Sequence, residues 1–68
     1  MILVCNGTIN DELYLKEIAL ELAGLGVPYT INGVWLSVRY TGSEPGTAKR
    51  IQELFSELST HTIYYDDK

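Results

Sequence analysis

The sequence predicts a single α+β domain in which a four-stranded antiparallel sheet carries two helices on one face. Two observations predict this fold class. Apolar residues switch between strand and helix periodicity in the order β-α-β-β-α-β, and right-handed crossovers then give an antiparallel sheet with both helices on the same side. The chain of 68 residues is short enough that we expect one domain covering residues 1–68.

The first predicted elements are a buried strand and an amphipathic helix. Residues 2–5 form a short apolar run typical of a central strand, and Asn6-Gly7 is expected to end it. Thr8 and Asn10 are the candidate N-caps of a helix that runs to about Leu25. The residues that follow the spacing of one buried helical face are Leu15, Ile18, Ala19 and Leu22.

The middle of the chain carries a hairpin signal. Apolar residues alternate on both sides of Asn32-Gly33, and Asn-Gly favours a type I′ turn, which needs a positive φ at both residues. A two-residue turn at this position fixes the register and puts the apolar side chains on one buried face. The predicted cross-strand pairs on that face are Ile31 with Val34, Tyr29 with Leu36, and Val27 with Val38.

A second amphipathic helix and a last strand complete the pattern. After a loop over residues 42–46, the helix is predicted to begin at Glu44 or Thr47, with Ser43 or Thr47 as its cap, and to end near Leu58. Residues 61–65 are rich in Thr, Ile and Tyr and predict a strand. Residues 66–68 are expected to form a solvated tail. The apolar stripe of this helix consists of Ala48, Ile51, Leu54, Phe55 and Leu58.

This order of elements is that of the ferredoxin-like arrangement. A degenerate thioredoxin-like fold is the alternative, because residues 22–29, Leu-Ala-Gly-Leu-Gly-Val-Pro-Tyr, resemble the helix-to-strand passage of glutaredoxins. A redox function of that kind would require a Cys-x-x-Cys after the first strand, and the chain contains one cysteine, Cys5. We therefore predict the ferredoxin-like arrangement and no redox function.

Charge and composition exclude several classes of function. Nine acidic and five basic residues give a net charge of −4, which argues against nucleic-acid binding because phosphate backbones are neutralised by clustered Lys and Arg. One cysteine and one histidine are too few for a structural zinc site, and no other cofactor is indicated. The apolar N-terminal run is too short for a signal peptide or a membrane span. We expect a cytoplasmic protein with no membrane partner.

The sheet face without helices is the main candidate binding surface. Alternation along the hairpin places Pro28 and Thr30 of its first strand on this face, and either Tyr64 or Tyr65 joins them from the last strand. The second strand of the hairpin contributes Trp35, Ser37, Arg39 and Thr41. RNA-recognition domains share this topology and stack bases on aromatic residues of the sheet, but the first strand here offers no aromatic residue. Because Trp, Tyr and Arg are enriched at interface hot spots, we expect a protein partner or a homodimer. The candidate residues are Thr30, Trp35, Ser37, Arg39, Tyr64 and Tyr65.

Residues 39–45, Arg-Tyr-Thr-Gly-Ser-Glu-Pro, form a second candidate site. This segment is similar to the Arg-x-Ser-Gly-Thr-Glu-Pro phosphate loop of α-phosphohexomutases, with Ser and Thr exchanged. The resemblance implies that Arg39, Thr41, Gly42 and Ser43 hold a phosphate group. The 68 residues contain neither that family's phosphoserine segment nor its metal-binding segment, so its catalysis is not expected. Apart from the family, hydroxyls at a helix start bind anions, and a simple capping turn is the alternative.

The sequence therefore predicts a small non-enzymatic binding module that acts through its open sheet face and self-associates. Cys5 and His61 are the nearest approach to a catalytic pair, and Cys5 is interpreted as a small buried hydrophobe. Two alternatives stay open. One is an acidic inhibitor or regulator of a nucleic-acid-processing or defence protein, encoded by a phage or mobile element. The other is an anion-sensing domain that uses the turn from Thr41 to Ser43.

Overall fold

The computed structural model describes residues 2–66 and has the predicted element order. The strands form one antiparallel sheet in the order β2-β3-β1-β4. Side chains of both helices share one buried core with the same face of the sheet, so the ferredoxin-like arrangement is confirmed. The elements are β1 (Ile2–Thr8), α1 (Glu12–Gly24), β2 (Tyr29–Asn32), β3 (Trp35–Tyr40), α2 (Pro45–Ser56) and β4 (Thr60–Asp66).

β1 is longer than the sequence predicts, because Asn6 and Gly7 continue the strand instead of ending it. A Cβ atom on Gly7 would overlap the end of the Leu58 side chain and lie 3.3 Å from Phe55 Cδ2. The glycine is therefore explained by the close approach of α2 and the residues after it, and not by a turn. This contact brings the second helix directly onto the central strand.

The N-cap of α1 differs from the two predicted residues. The Asp11 carboxylate accepts hydrogen bonds from the backbone N–H groups of Leu13 at 3.0 Å and Tyr14 at 3.4 Å. Asp11 is thus the N-cap in place of Thr8 or Asn10. The predicted buried face of the helix is confirmed, and it consists of Leu15, Ile18, Ala19 and Leu22.

The hairpin turn lies one residue later than predicted. Gly33 and Val34 are the turn residues, and Asn32 pairs with Trp35. Gly33 has a φ of 65°, and no non-glycine residue within 2–66 has a positive φ. Asn32 therefore cannot belong to the centre of a type I′ turn, and glycine at the first central position is the pattern of a type II′ turn.

The later turn changes the hairpin register but not the face on which each side chain lies. Tyr29 pairs with Val38, and Ile31 pairs with Leu36. In each pair the partner on β3 lies two residues later in the sequence than predicted. Such a shift keeps the same parity and so keeps the same face. The expectation that the whole apolar set is buried is wrong for Tyr29 and Ile31, because β2 is the edge strand and its residues are all exposed. It is also wrong for Val34, which is exposed in the turn.

α2 and β4 follow the prediction with small shifts at their ends. Glu44 occupies the N-cap position and makes no side-chain capping bond in the described structure, so neither Ser43 nor Thr47 is the cap. Pro45, at the helix start, is suited to this position because its fixed φ is helical and its missing N–H would be unpaired there. Asp66 belongs to β4 and not to a tail, while positions 67 and 68 of the predicted tail lie outside the described residues.

The two helices are joined at their outer surface by polar contacts. The Arg50 guanidinium binds the Glu21 carboxylate, with Nη2 3.0 Å from Oε1, and this hydrogen bond lowers the pKa of Glu21. The Tyr14 hydroxyl donates to Glu57 Oε1 at 3.5 Å. Desolvation and the Glu57 carboxylate raise the pKa of Tyr14. One flank of α1 therefore faces α2. No helix in the described part of the chain is long and apolar enough to cross a membrane.

Candidate protein-binding surface

The open face of the sheet has a polar, uncharged centre. The strand registers align four residues in a row across the sheet: Thr30 on β2, Ser37 on β3, Asn6 on β1 and Thr62 on β4. The Ser37 hydroxyl donates a hydrogen bond of 2.7 Å to Asn6 Oδ1. This bond joins the two central strands from the side that carries no helix.

Aromatic side chains lie on both sides of that polar row. On one side Trp35 pairs with Thr8 and is 43% exposed. On the other side Val4 pairs with Arg39 and with Tyr64, which is 46% exposed. Val4 itself is only 3% exposed although no helix covers this face. Its burial is explained by the long side chains on both neighbouring strands, whose stems cover apolar surface.

The structure answers which C-terminal tyrosine joins the open face. Tyr64 lies beside Val4 on this face, whereas Tyr65 pairs with Leu3 on the helix-covered face. The Tyr65 hydroxyl accepts a hydrogen bond of 3.2 Å from Gln52 Nε2 of α2. Successive residues of a strand point to opposite faces, so only one of the two tyrosines belongs to the candidate surface.

The remaining predicted residues of the surface are brought together on the open face. Thr30, Ser37 and Arg39 line a depression of about 200 Å³ with Pro28 and Tyr29 near the edge of the sheet. Trp35 is the first residue of β3 and lies on the other side of Ser37 from Arg39. The candidate surface, which we call the open-face patch, consists of Thr30, Trp35, Ser37, Arg39 and Tyr64.

The four residues of the candidate anion site do not converge. Arg39 lies on the open face and Thr41 is exposed in the loop after β3, whereas Gly42 and Ser43 line a cavity of about 180 Å³ on the helix side. The ring of Tyr40 occupies the space in which a Gly42 side chain would lie. Its hydroxyl also accepts the Glu44 N–H at 3.3 Å, so one of the donors at the start of α2 already has a partner.

Cys5 and His61 lie on neighbouring strands but are not cross-strand partners. Cys5 is fully buried in the core, and burial raises the pKa of its thiol to about 11. His61 Nδ1 lies 2.7 Å from the Leu58 carbonyl oxygen. Cys5 pairs with Ile63, while His61 pairs with Gly7. Within residues 2–66 no group of three His, Cys, Asp or Glu side chains is arranged to hold a metal ion.

Two features of the surface were not predicted. A groove of about 390 Å³ lies between α2 and β4, with Ile63 and Tyr65 among its lining residues. A second apolar area lies at the opposite edge, where Tyr29 and Ile31 are exposed. The predicted strand order makes β2 and β4 the edge strands of the sheet. Because edge strands are only partly covered, this order was the one sequence feature that could have indicated both surfaces.

Comparisons of the chain with protein-family models, with curated proteins and with solved structures give no match. The function is therefore inferred from the chemistry of the surfaces alone.

Proposed function

We propose that the protein is a non-enzymatic, cytoplasmic binding module that engages a partner protein through the open-face patch. The observation that carries this proposal is the exposure of Trp35 and Tyr64 around a polar, uncharged centre on a sheet face without helices. Trp, Tyr and Arg are enriched among the few residues that supply most of the binding energy of a protein interface. Hydroxyl and amide groups between them supply hydrogen bonds.

A protein partner accounts for this surface better than a nucleic acid does. Arg39 is the basic residue of the patch, and a single cation neutralises little phosphate charge. The whole chain has a net charge of −4, which adds a repulsive term for any polyanion. An arginine beside aromatic residues is instead typical of the centre of a protein interface.

The acidic-regulator hypothesis is a different use of the molecule, through the carboxylates of the helices. Part of that surface is already neutralised, because Glu21 is paired with Arg50, which also lies 3.6 Å from Glu53. Binding through helix carboxylates would weaken strongly with salt. Binding through the open-face patch is expected to be much less sensitive to salt.

Neighbouring tyrosines on opposite faces provide a matched test of the patch. A partner is first isolated with the unmodified protein, and its dissociation constant is then measured for Trp35→Ala, Tyr64→Ala and Tyr65→Ala. We expect each of the first two variants to weaken binding by about tenfold or more, the loss typical of a hot spot. Tyr65→Ala is the control, because its side chain is equally large and exposed but lies on the other face.

Two results would contradict the proposal. One is full binding by both Trp35→Ala and Tyr64→Ala. The other is an equal loss in all three variants while circular dichroism shows that each of them is folded, which would mean that binding does not depend specifically on the open-face patch.

A further inference from the structure

Two Asn-Gly dipeptides lie in very different surroundings in this structure. Asn6-Gly7 is inside the central strand β1, whereas Asn32-Gly33 joins the end of the edge strand β2 to the hairpin turn. Asn-Gly is the dipeptide most prone to attack by the backbone nitrogen on the preceding Asn side chain, because glycine has no side chain to hinder that approach. The intrinsic chemistry of the two pairs is the same, so their reactivity depends on the fold.

The Asn32-Gly33 pair is accessible to this reaction. Both residues are exposed. Gly33 lies beyond the last cross-strand pair of the hairpin, which is that of Asn32 and Trp35. Among residues 2–66 the Asn32 carboxamide has no hydrogen-bond partner, and the Gly33 N–H donates to no group. The side-chain carbonyl carbon and the nitrogen that can attack it are therefore both unrestrained.

The Asn6-Gly7 pair is held at both reacting groups. Asn6 Oδ1 accepts the Ser37 hydroxyl at 2.7 Å, and Gly7 is buried. The Ile9 N–H donates to the Val34 carbonyl at 2.7 Å. Because alternate residues of an antiparallel strand bond to the same neighbour, Gly7 donates to β3 in the same way. Its nitrogen is released only when the centre of the sheet opens.

We propose that Asn32 is a site of spontaneous deamidation. The Gly33 nitrogen attacks Asn32 Cγ, which forms a new C–N bond and breaks the bond to the side-chain nitrogen. That nitrogen leaves as ammonia and takes the proton that the Gly33 nitrogen gives up. Water then opens the resulting succinimide at either of its two carbonyl groups, which yields aspartate or isoaspartate. The net reaction consumes one water and releases one ammonia, without any oxidant or reductant.

The reaction passes through local opening of the end of the hairpin. Asn32 is a strand residue, and ring closure requires its extended backbone to rotate about the Cα–C bond. β2 is an edge strand whose four residues are all exposed, whereas β1 is paired on both sides. Exposed edges open at a lower free-energy cost than central strands. Asn32 is therefore expected to react before Asn6.

Deamidation of Asn32 changes the border of the open-face patch. Asn32 is the cross-strand partner of Trp35, and directly opposed residues on two strands point to the same face. Both products replace a neutral amide with a carboxylate, which adds one negative charge to the net charge of −4. Isoaspartate also lengthens the backbone by one methylene group at the pair that closes the hairpin. An effect on partner binding rests on the proposed function, whereas the reaction itself does not.

The reaction is tested by peptide mapping with mass spectrometry after the full chain has been incubated in mildly alkaline buffer. Trypsin cuts after Lys16 and Arg39, which places Asn6 and Asn32 in different peptides. Deamidation is detected as the replacement of NH by O, and fragment ions distinguish Asn6 from Asn10. In the folded protein Asn32 should convert at least about tenfold faster than Asn6. In urea the two rates should become similar, because the dipeptide is the same.

Three results would overturn the proposal. The first is an equal or faster rate at Asn6 in the folded protein. The second is a rate ratio that persists in urea, because the local sequence and not the fold would then explain it. The third is conversion of Asn32 in urea but not in the folded protein, which would mean that the turn protects it. Ser37→Ala should speed the reaction at Asn6 and leave the rate at Asn32 unchanged.

The effect on the open-face patch is tested separately with Asn32→Asp, which carries the charge of the product. It should weaken binding of the isolated partner by about threefold or more, because a charge beside an aromatic anchor loses water in the complex. Gln52→Glu is the control, since it adds the same charge on α2. Full binding by Asn32→Asp would overturn this effect. Failure of the proposed function is a different result, namely full binding by Trp35→Ala and Tyr64→Ala.

Discussion

The two faces of the sheet differ most clearly along the single strand β1. Its helix-side residues Leu3, Cys5 and Gly7 are packed against a continuous apolar core. Its open-side residues include Val4, which long neighbouring side chains cover, and Asn6, which is hydrogen-bonded to Ser37. The helix-covered face therefore holds most of the apolar packing of the fold, while the open face leaves Trp35 and Tyr64 exposed.

The largest expected effect comes from removing the centre of the helix-side core. Phe55→Ala should lower the free energy of unfolding by about 3–5 kcal/mol, because a fully buried aromatic ring leaves a cavity. Trp35→Ala on the open face should lower it by less than about 1 kcal/mol. Urea denaturation measures both values.

If Phe55→Ala does not fold, Phe55→Leu provides a milder version of the same test. Equal effects at Phe55 and Trp35 would show that the open face is a second structural core. The contrast between the two faces would then be lost.

The next effect tests the close contact between β1 and the segment after α2. Gly7→Ala should destabilise the protein by about 1–3 kcal/mol, because its Cβ meets the Leu58 and Phe55 side chains. Gly46→Ala is the matched control. It lies in α2 with open space around it and should stabilise the helix by about 0.5–1 kcal/mol. A neutral Gly7→Ala would mean that Leu58 moves aside without loss of packing.

The helix-side core could be predicted from the sequence because burial there follows a regular period. The apolar residues that end at Leu22 and at Leu58 repeat at helical spacing. Leu36 and Val38 are alternate residues of β3 and lie on its helix-covered face. A helix or strand of the right length has one arrangement that buries such a pattern. The same reasoning placed Trp35, since the parity of the hairpin decides its face.

Other features depend on contacts between distant parts of the chain. Gly7 looks like a strand terminator until the approach of Leu58 is known. The two possible hairpin turns, at Asn32-Gly33 and at Gly33-Val34, keep the same parity, so the apolar pattern could not choose between them. Each face of β4 carries one of the two tyrosines. Only the register of β4 with β1 shows that Tyr64 lies on the open face and Tyr65 on the helix-covered face.

A smaller effect tests whether the open face contributes any packing of its own. Val4→Ala should lower the free energy of unfolding by about 1–2 kcal/mol, because the side chain is buried although no helix covers it. Thr62→Ala, on the same face but exposed, should change stability by less than about 0.5 kcal/mol. Equal values for the two variants would show that Arg39 and Tyr64 do not shield Val4 in solution.

The smallest effect is expected at the exposed ion pair that joins the helices. The Arg50 hydrogen bond lowers the pKa of Glu21, so the folded state prefers the ionised carboxylate. The resulting stabilisation is present at neutral pH and is lost as the pH falls through the lowered pKa. Glu21→Gln should therefore shift the urea midpoint slightly at pH 7 and not in acid, with a smaller shift at high salt. A shift that persists in acid would point to lost packing and not to lost charge.

The central place of β1 has a consequence for how the chain reaches its fold during synthesis. β1 is the earliest element along the chain, yet its two sheet neighbours are β3 and β4, and β4 follows every other element. During synthesis, one hydrogen-bonding edge of β1 therefore stays unpaired until residues 60–66 have left the ribosomal exit tunnel. The sheet is completed only at that late stage, so a chain arrested before β4 would leave the unpaired backbone N–H and C=O groups on one edge of β1 open to any other strand nearby.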